Sequence, residues 1–145
     1  MPEQDTVQTI SNAMDVGVPS NLERIKNLYN QNVSEIKQDI SSWGFSDADT
    51  RHAIQTTRLE SGYLVDPHTA VGILGLQKYR EKTNSSTKGI VLSTAHPGKF
   101  TDVVEPIVGE KISFPDQLQS AIANEKSAIF MSSQYSDLKE FLLVS

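Results

Sequence analysis

A hydroxyl, an imidazole and an ammonium crowd into the short run Ser93-Thr94-Ala95-His96-Pro97-Gly98-Lys99. The run follows Ile90-Val91-Leu92, the most β-prone stretch of the chain. Ligand-binding groups collect beyond the carboxyl ends of strands in α/β proteins. From the residues alone two readings stay open, a binding site and a plain capping turn.

Other chemistries find less support. His52, His68 and His96 are far apart and none forms an i,i+4 pair with another ligand, so no metal site is expected. No G-x-S-x-G elbow is present, and Ser42, Ser85, Ser86, Ser132 and Ser133 read as loop and cap residues. There is no phosphate-binding or dinucleotide glycine motif. Gly72-Ile73-Leu74-Gly75 falls inside a helical pattern, where small residues serve close packing. Cysteine is absent, which excludes disulfides, thiolate metal sites and a cysteine nucleophile.

The elements that would position these groups follow from periodicity and stop signals. Leu22, Ile25, Leu28 and Tyr29 share one helical face, and Ser20 or Asn21 can cap it. A second amphipathic stretch covers Val33 to Trp43, with Gly44 as its stop. Asp47 to Ser61 predicts a third helix closed by Gly62. Asp66-Pro67 launches a fourth, to about Glu81, with Asp66 as N-cap and Pro67 at the first helical position. Its Ala70, Val71, Ile73, Leu74 and Leu76 require cover on more than one face. Further helices are expected near Phe100–Val108, Gln117–Asn124 and Ser136–Leu143.

Between the helices lie short extended runs at Thr9-Ile10, Tyr63-Leu64-Val65, Ile90–Thr94, Ile112-Ser113-Phe114 and Ala128–Met131. Strands alternating with helices predict an α/β fold with a mostly parallel sheet and flanking helices. The β-branched run at residues 90–94 has no polar alternation, as a central strand buried on both faces would. So few strands would leave an edge unpaired, which implies that something else completes the sheet.

Composition narrows the partners. The chain has 145 residues, 37% of them hydrophobic, enough for one lean domain or a piece of a larger one. Thirteen basic against eighteen acidic residues leave a charge of −5 with no basic run, which excludes a phosphate-tracking nucleic-acid surface. No apolar run approaches the ~18 residues of a membrane span. The first residues, Met1-Pro2-Glu3-Gln4-Asp5, carry no secretory pattern, so a cytoplasmic protein is expected. Residues 1–8 read as a loose leader.

Three segments resemble one enzyme family. Ser93-Thr94-Ala95-His96-Pro97-Gly98-Lys99-Phe100 closely resembles the S/G-T-A-H-P-A-K-F signature near the end of threonine synthases. Ser11-Asn12-Ala13-Met14-Asp15-Val16 resembles their S-N-A-M-D-V segment, and Val18–Arg24 the stretch after it. Gly62-Tyr63-Leu64-Val65-Asp66-Pro67-His68-Thr69-Ala70-Val71 is similar to a third block, G-Y-x-x-[DE]-P-H-x-A-V. The motifs keep the family's order and spacing over about residues 8–110, and the likeness is to its bacterial and fungal-like branch.

The resemblance implies the fold of the tryptophan-synthase β-subunit class of pyridoxal-phosphate enzymes. It implies conversion of O-phosphohomoserine and water to threonine and phosphate, with pyridoxal 5'-phosphate as cofactor. By it Thr94 matches the hydroxyl that meets the pyridine nitrogen, and Asn12, Ala13 and Met14 match the segment along the cofactor's face. His96 and Lys99 belong to the signature without an assigned role; Lys99 either attracts phosphate or caps the next helix. Asp66 and His68 open a helix that either faces the pocket or is simply capped there.

Gly98 departs from the usual alanine. The family's Schiff-base lysine, phosphate loop and most substrate-phosphate ligands lie upstream of its S-N-A-M-D segment. The resemblance therefore implies that residues 1–145 are one C-terminal segment, roughly the last third of the enzyme, inactive alone and partnered by the missing N-terminal part. One rival reading is a truncated paralogue acting as a binding or regulatory module. The other is a serine or threonine dehydratase, against which the A-H-P-x-K-F signature speaks.

Overall fold

Two helices carry complete start and stop chemistry within a few residues of their ends. In a computed structural model of the chain, which describes residues 7–12, 21–86 and 88–144 (the Val144 side chain excepted), both form. Helix α3 runs Asp47–Ser61 behind a reciprocal capping box. Asp49 N donates to Ser46 Oγ at 3.2 Å, and Ser46 N donates to the Asp49 carboxylate at 2.9 Å. Gly62, at φ 70°, turns the chain out of the helix in the left-handed conformation that glycine, lacking a Cβ, adopts at least cost. Helix α4, Pro67–Thr83, begins behind the Asp66 cap and ends at Asn84 in the same left-handed region.

The remaining helices are shorter. α1 spans Leu22–Leu28 and α2 spans Val33–Asp39, joined by Asn30 and Gln31 at positive φ. α2 ends well before Trp43, the end expected from the sequence, because Ile40-Ser41-Ser42 offers one β-branched residue and two weak helix formers. A 3-10 turn, Pro97–Phe100, leads into α5, Thr101–Val108. α6 covers Asp116–Ala123 and α7 covers Tyr135–Val144.

The chain divides into two compact units, Met1–Ser113 and Phe114–Ser145. In the first, α3 packs on both α4 and α5. Its core is small: Ala53 and Ile54 of α3, Val65, Ala70 of α4, Phe100, Val104 of α5 and Ile112. Glu105 ties the exit of α5 back to it, accepting from Lys111 Nζ at 2.6 Å and from Ile112 N at 3.1 Å. In the second unit, Pro115 precedes α6, and the Gln119 amide donates to Phe114 O at 2.7 Å.

The expected parallel sheet does not form among the described residues. Among the described residues there is no strand, and the observed architecture is helical. Tyr63–Val65 and Ile112–Phe114 are extended, but Val65 and Ile112 contribute side chains to the core and no ladder forms. Residues 88–94 run extended along α4, with Val91 Cγ1 only 3.0 Å from where a Cβ at Gly72 would stand. Close packing thus explains Gly72 but not Gly75, which has open space around it. Contrary to the doubly buried strand expected, Ile90 is 89% and Leu92 is 76% exposed. Thr9-Ile10 ends in a turn, and Ile129 and Phe130 are exposed. The reason is physical: β-propensity describes fit to a pleated surface, and no second extended backbone lies beside any of these runs among the described residues.

The capping box gives a direct test. Ser46→Ala is expected to cost about 1 kcal/mol, read as a lower urea midpoint. Hydrogen bonds from Ser46 hold the Asp49 carboxyl below its ordinary range. The bond from Lys111, with that from Ile112 N, does the same for Glu105. A carboxylate depressed in the folded state stabilises above its unfolded pKa and loses that contribution as pH falls through the folded value. Stability should therefore drop below roughly pH 4. The part of the Asp49 contribution that comes from the Ser46 hydroxyl should be missing from the pH profile of Ser46→Ala, while the part from the backbone N–H of residue 46 remains.

Candidate functional site

The buried carboxylate of Asp66 is the centre of a hydrogen-bonded cluster that holds one further candidate residue, His68. It closes the extended Tyr63–Val65 run and caps α4, so the local sequence Asp-Pro-His-Thr fixes its place. One oxygen accepts from Thr69 N at 3.3 Å and from the Thr69 hydroxyl. The other accepts from His68 N and from His68 Nδ1, both at 3.0 Å. Against a carboxylate acceptor, Nδ1 is the protonated ring nitrogen. The His68 ring lies beside Phe100 with centroids 5.2 Å apart at 56°.

From this centre the contacts reach the Ser93–Phe100 turn. Thr69 Oγ1 and Ser93 Oγ lie 3.1 Å apart. His96 caps the 3-10 turn, with Gly98 N donating to its Nδ1 at 3.0 Å and Lys99 N to its carbonyl at 3.0 Å. That leaves Nε2 of His96 as the donor of the neutral ring. Lys99 is exposed in the last turn of the 3-10 segment. Thr94 is exposed, and among the described residues its hydroxyl has no hydrogen bond.

The remaining candidates are Asn12, Ala13 and Met14. Asn12 is half-buried, in a segment tied to the start of α3 by Ile10 N donating to Asp47 Oδ1 at 3.2 Å. Ala13 and Met14 lie outside the described residues, as do residues 1–6 of the loose leader. His96 and Pro97 also border a cleft of about 500 Å³ with Tyr63, Leu64, Arg58 and Lys111. Its cations are already matched, Arg58 by Glu110 at 2.7 Å and Lys111 by Glu105 at 2.6 Å.

Sequence reasoning singled out Asp66, His68, Thr94, His96 and Lys99 but not Thr69, Ser93 or Phe100 as partners. The signal for Thr69 was available: it stands three residues after an N-cap, where the cap oxygen meets a backbone N–H. The Thr69–Ser93 contact spans 24 residues, and no local pattern announces it.

With the geometry in place, the likeness to known proteins is consistent from three directions. The family model described as "Threonine synthase, C-terminal" matches residues 69–142. Threonine synthase of Haemophilus influenzae is 34% identical over 140 residues, which are 97% of this chain and 32% of that protein. Threonine synthase of Escherichia coli is 37% identical over 115 residues, covering 78% of this chain and 25% of that protein. The crystal structure of the Escherichia coli enzyme superposes with a TM-score of 0.76 at 28% identity, over 98% of this chain and 32% of that one. Threonine synthase of Brucella melitensis with PLP bound gives 0.68 at 26% identity, over 97% and 35%. The chain thus spans about a third of the length of the curated relatives it matches.

Proposed function

Because the chain belongs to the threonine synthase family, we propose that its 145 residues are one C-terminal segment of an enzyme converting O-phosphohomoserine and water to threonine and phosphate. The enzyme works in the cytoplasm; no described helix is long and apolar enough to cross a membrane. An upstream portion of the same enzyme supplies the lysine and the phosphate-binding loop that hold the cofactor.

Pyridoxal 5'-phosphate, when bound, supplies an electron-withdrawing ring that stabilises carbanions. The residues present fit that group at one point. Thr94 offers a neutral hydroxyl, exposed and uncommitted among the described residues, at the end of an extended run. That observation carries the reading. A hydroxyl can donate to a ring nitrogen without protonating it, whereas a carboxylate would hold it as a cation. The weaker electron demand suits elimination and replacement over transamination. Asn12, Ala13 and Met14 line the cofactor's face in this reading, and His96 shapes the turn beyond Thr94 by capping it.

The test is an assay of the complete protein with pyridoxal phosphate. O-phosphohomoserine should yield threonine and phosphate in equal amounts. Residues 1–145 alone should do neither and should bind no stoichiometric pyridoxal phosphate. A complete protein that folds, yet neither binds the cofactor nor makes threonine, would make the chain part of a non-catalytic module instead.

A further inference from the structure

Asp66 is 0% exposed, a setting in which a carboxylate persists only when its oxygens are taken. Capping α4 needs only the backbone donors of His68 and Thr69. Two side-chain bonds come in addition, from Thr69 Oγ1 to one oxygen and from His68 Nδ1 to the other. Both lead to the same turn, from opposite ends. Thr69 has a single hydroxyl proton; with it given to the carboxylate, the Ser93 hydroxyl is the donor across the 3.1 Å contact. At the far end the oriented His68 ring rests beside Phe100. Thr94 lies between the two grips, on backbone with no ladder to hold it among the described residues.

We propose that Asp66 is a positioning residue: through Thr69 and His68 it sets where the Ser93–Phe100 turn stands, and with it the Thr94 hydroxyl. This rests on the reading of Thr94 given above. A group that must meet a ligand at one distance gains when its supporting shell is already fixed before the ligand arrives. An Asp66 that served α4 alone would need neither Ser93 nor Phe100.

Thr69→Ala isolates the device, because Asp66 keeps its backbone bond to residue 69 and α4 keeps its cap. In the chain itself, the amides of Gly98 and Lys99 are bonded within the turn, and their exchange reports its opening. Thr69→Ala and, from the other end, Ser93→Ala should each speed that exchange by about 2- to 12-fold, the worth of one net hydrogen bond. Thr69→Ser should restore it, and the Gly62 amide at the end of α3 should not change. In the complete protein, Thr69→Ala should raise the pyridoxal phosphate dissociation constant by a similar factor, and should add nothing once Thr94 is already alanine. Exchange at Gly98 and Lys99 equal to the parent's in both variants overturns the proposal, as do additive effects in the double variant. If Thr94→Ala alone leaves cofactor affinity unchanged, the cofactor reading falls and takes the proposal with it; faster exchange in Thr69→Ala would then mark a turn whose rigidity serves no cofactor.

Discussion

Ile54→Ala should remove about 2–5 kcal/mol of stability, the largest single loss expected in the molecule. Ile54 is 0% exposed on α3, the helix that packs on both α4 and α5. A large core can relax around a lost side chain. Here the buried cluster that holds Ile54 is small, with Ala53, Val65, Ala70, Phe100, Val104 and Ile112 as its other members and only partly buried side chains packed around it, so the space left would be filled only in part. Leu59 on the same helix is 78% exposed, and Leu59→Ala should stay within about 0.5 kcal/mol of the parent. Urea unfolding followed by helical circular dichroism compares the two. Equal midpoints would mean that α3 is not the centre of the core.

Thr94→Ala, in the complete protein, should weaken cofactor binding or turnover by about 5- to 150-fold, equivalent to roughly 1–3 kcal/mol for a hydrogen bond lost from a buried partner. Thr94 is exposed in this chain and holds up none of its core, so the melting temperature should barely move. Thr94→Ser keeps the hydroxyl and should be mild. Thr94→Asp places a carboxylate at the same spot and should raise the share of side products, because a charged acceptor favours a protonated ring. Turnover, cofactor dissociation and melting of the three variants decide the matter. Parent-like cofactor affinity and turnover in Thr94→Ala would reduce Thr94 to a turn residue.

How far the residues foretold the structure depended on the range of the interactions. α3 and α4 were legible because Ser46, Asp49, Gly62, Asp66 and Pro67 act on neighbours two to four positions away. The end of α2 was not, since an amphipathic stripe runs on past the point where Ile40 leaves helical backbone. The sheet misled for a different reason. Ile90-Val91-Leu92 has a strand's composition, but a ladder needs a second backbone, and composition cannot supply one. At the site, the Asp66 cap was readable, whereas His96 carried no assigned role before the structure showed it capping the 3-10 turn, and the meeting of Thr69 with Ser93 depends on how α4 lies against residues 88–94.

That bare run has a consequence for the chain as a material. Ile90-Val91-Leu92-Ser93-Thr94 carries no charge and no proline, and its Ile90 and Leu92 face water beside backbone donors and acceptors that no described neighbour pairs. Such a segment templates its own kind, each copy offering the next a row of amides and an apolar face. Lys88 stands just before it as a gatekeeping charge, and no charged residue follows until Lys99. Solubility of residues 1–145 should therefore depend on protein concentration more than on folding stability, and a single lysine at Leu92 should raise the concentration at which thioflavin-positive material first forms.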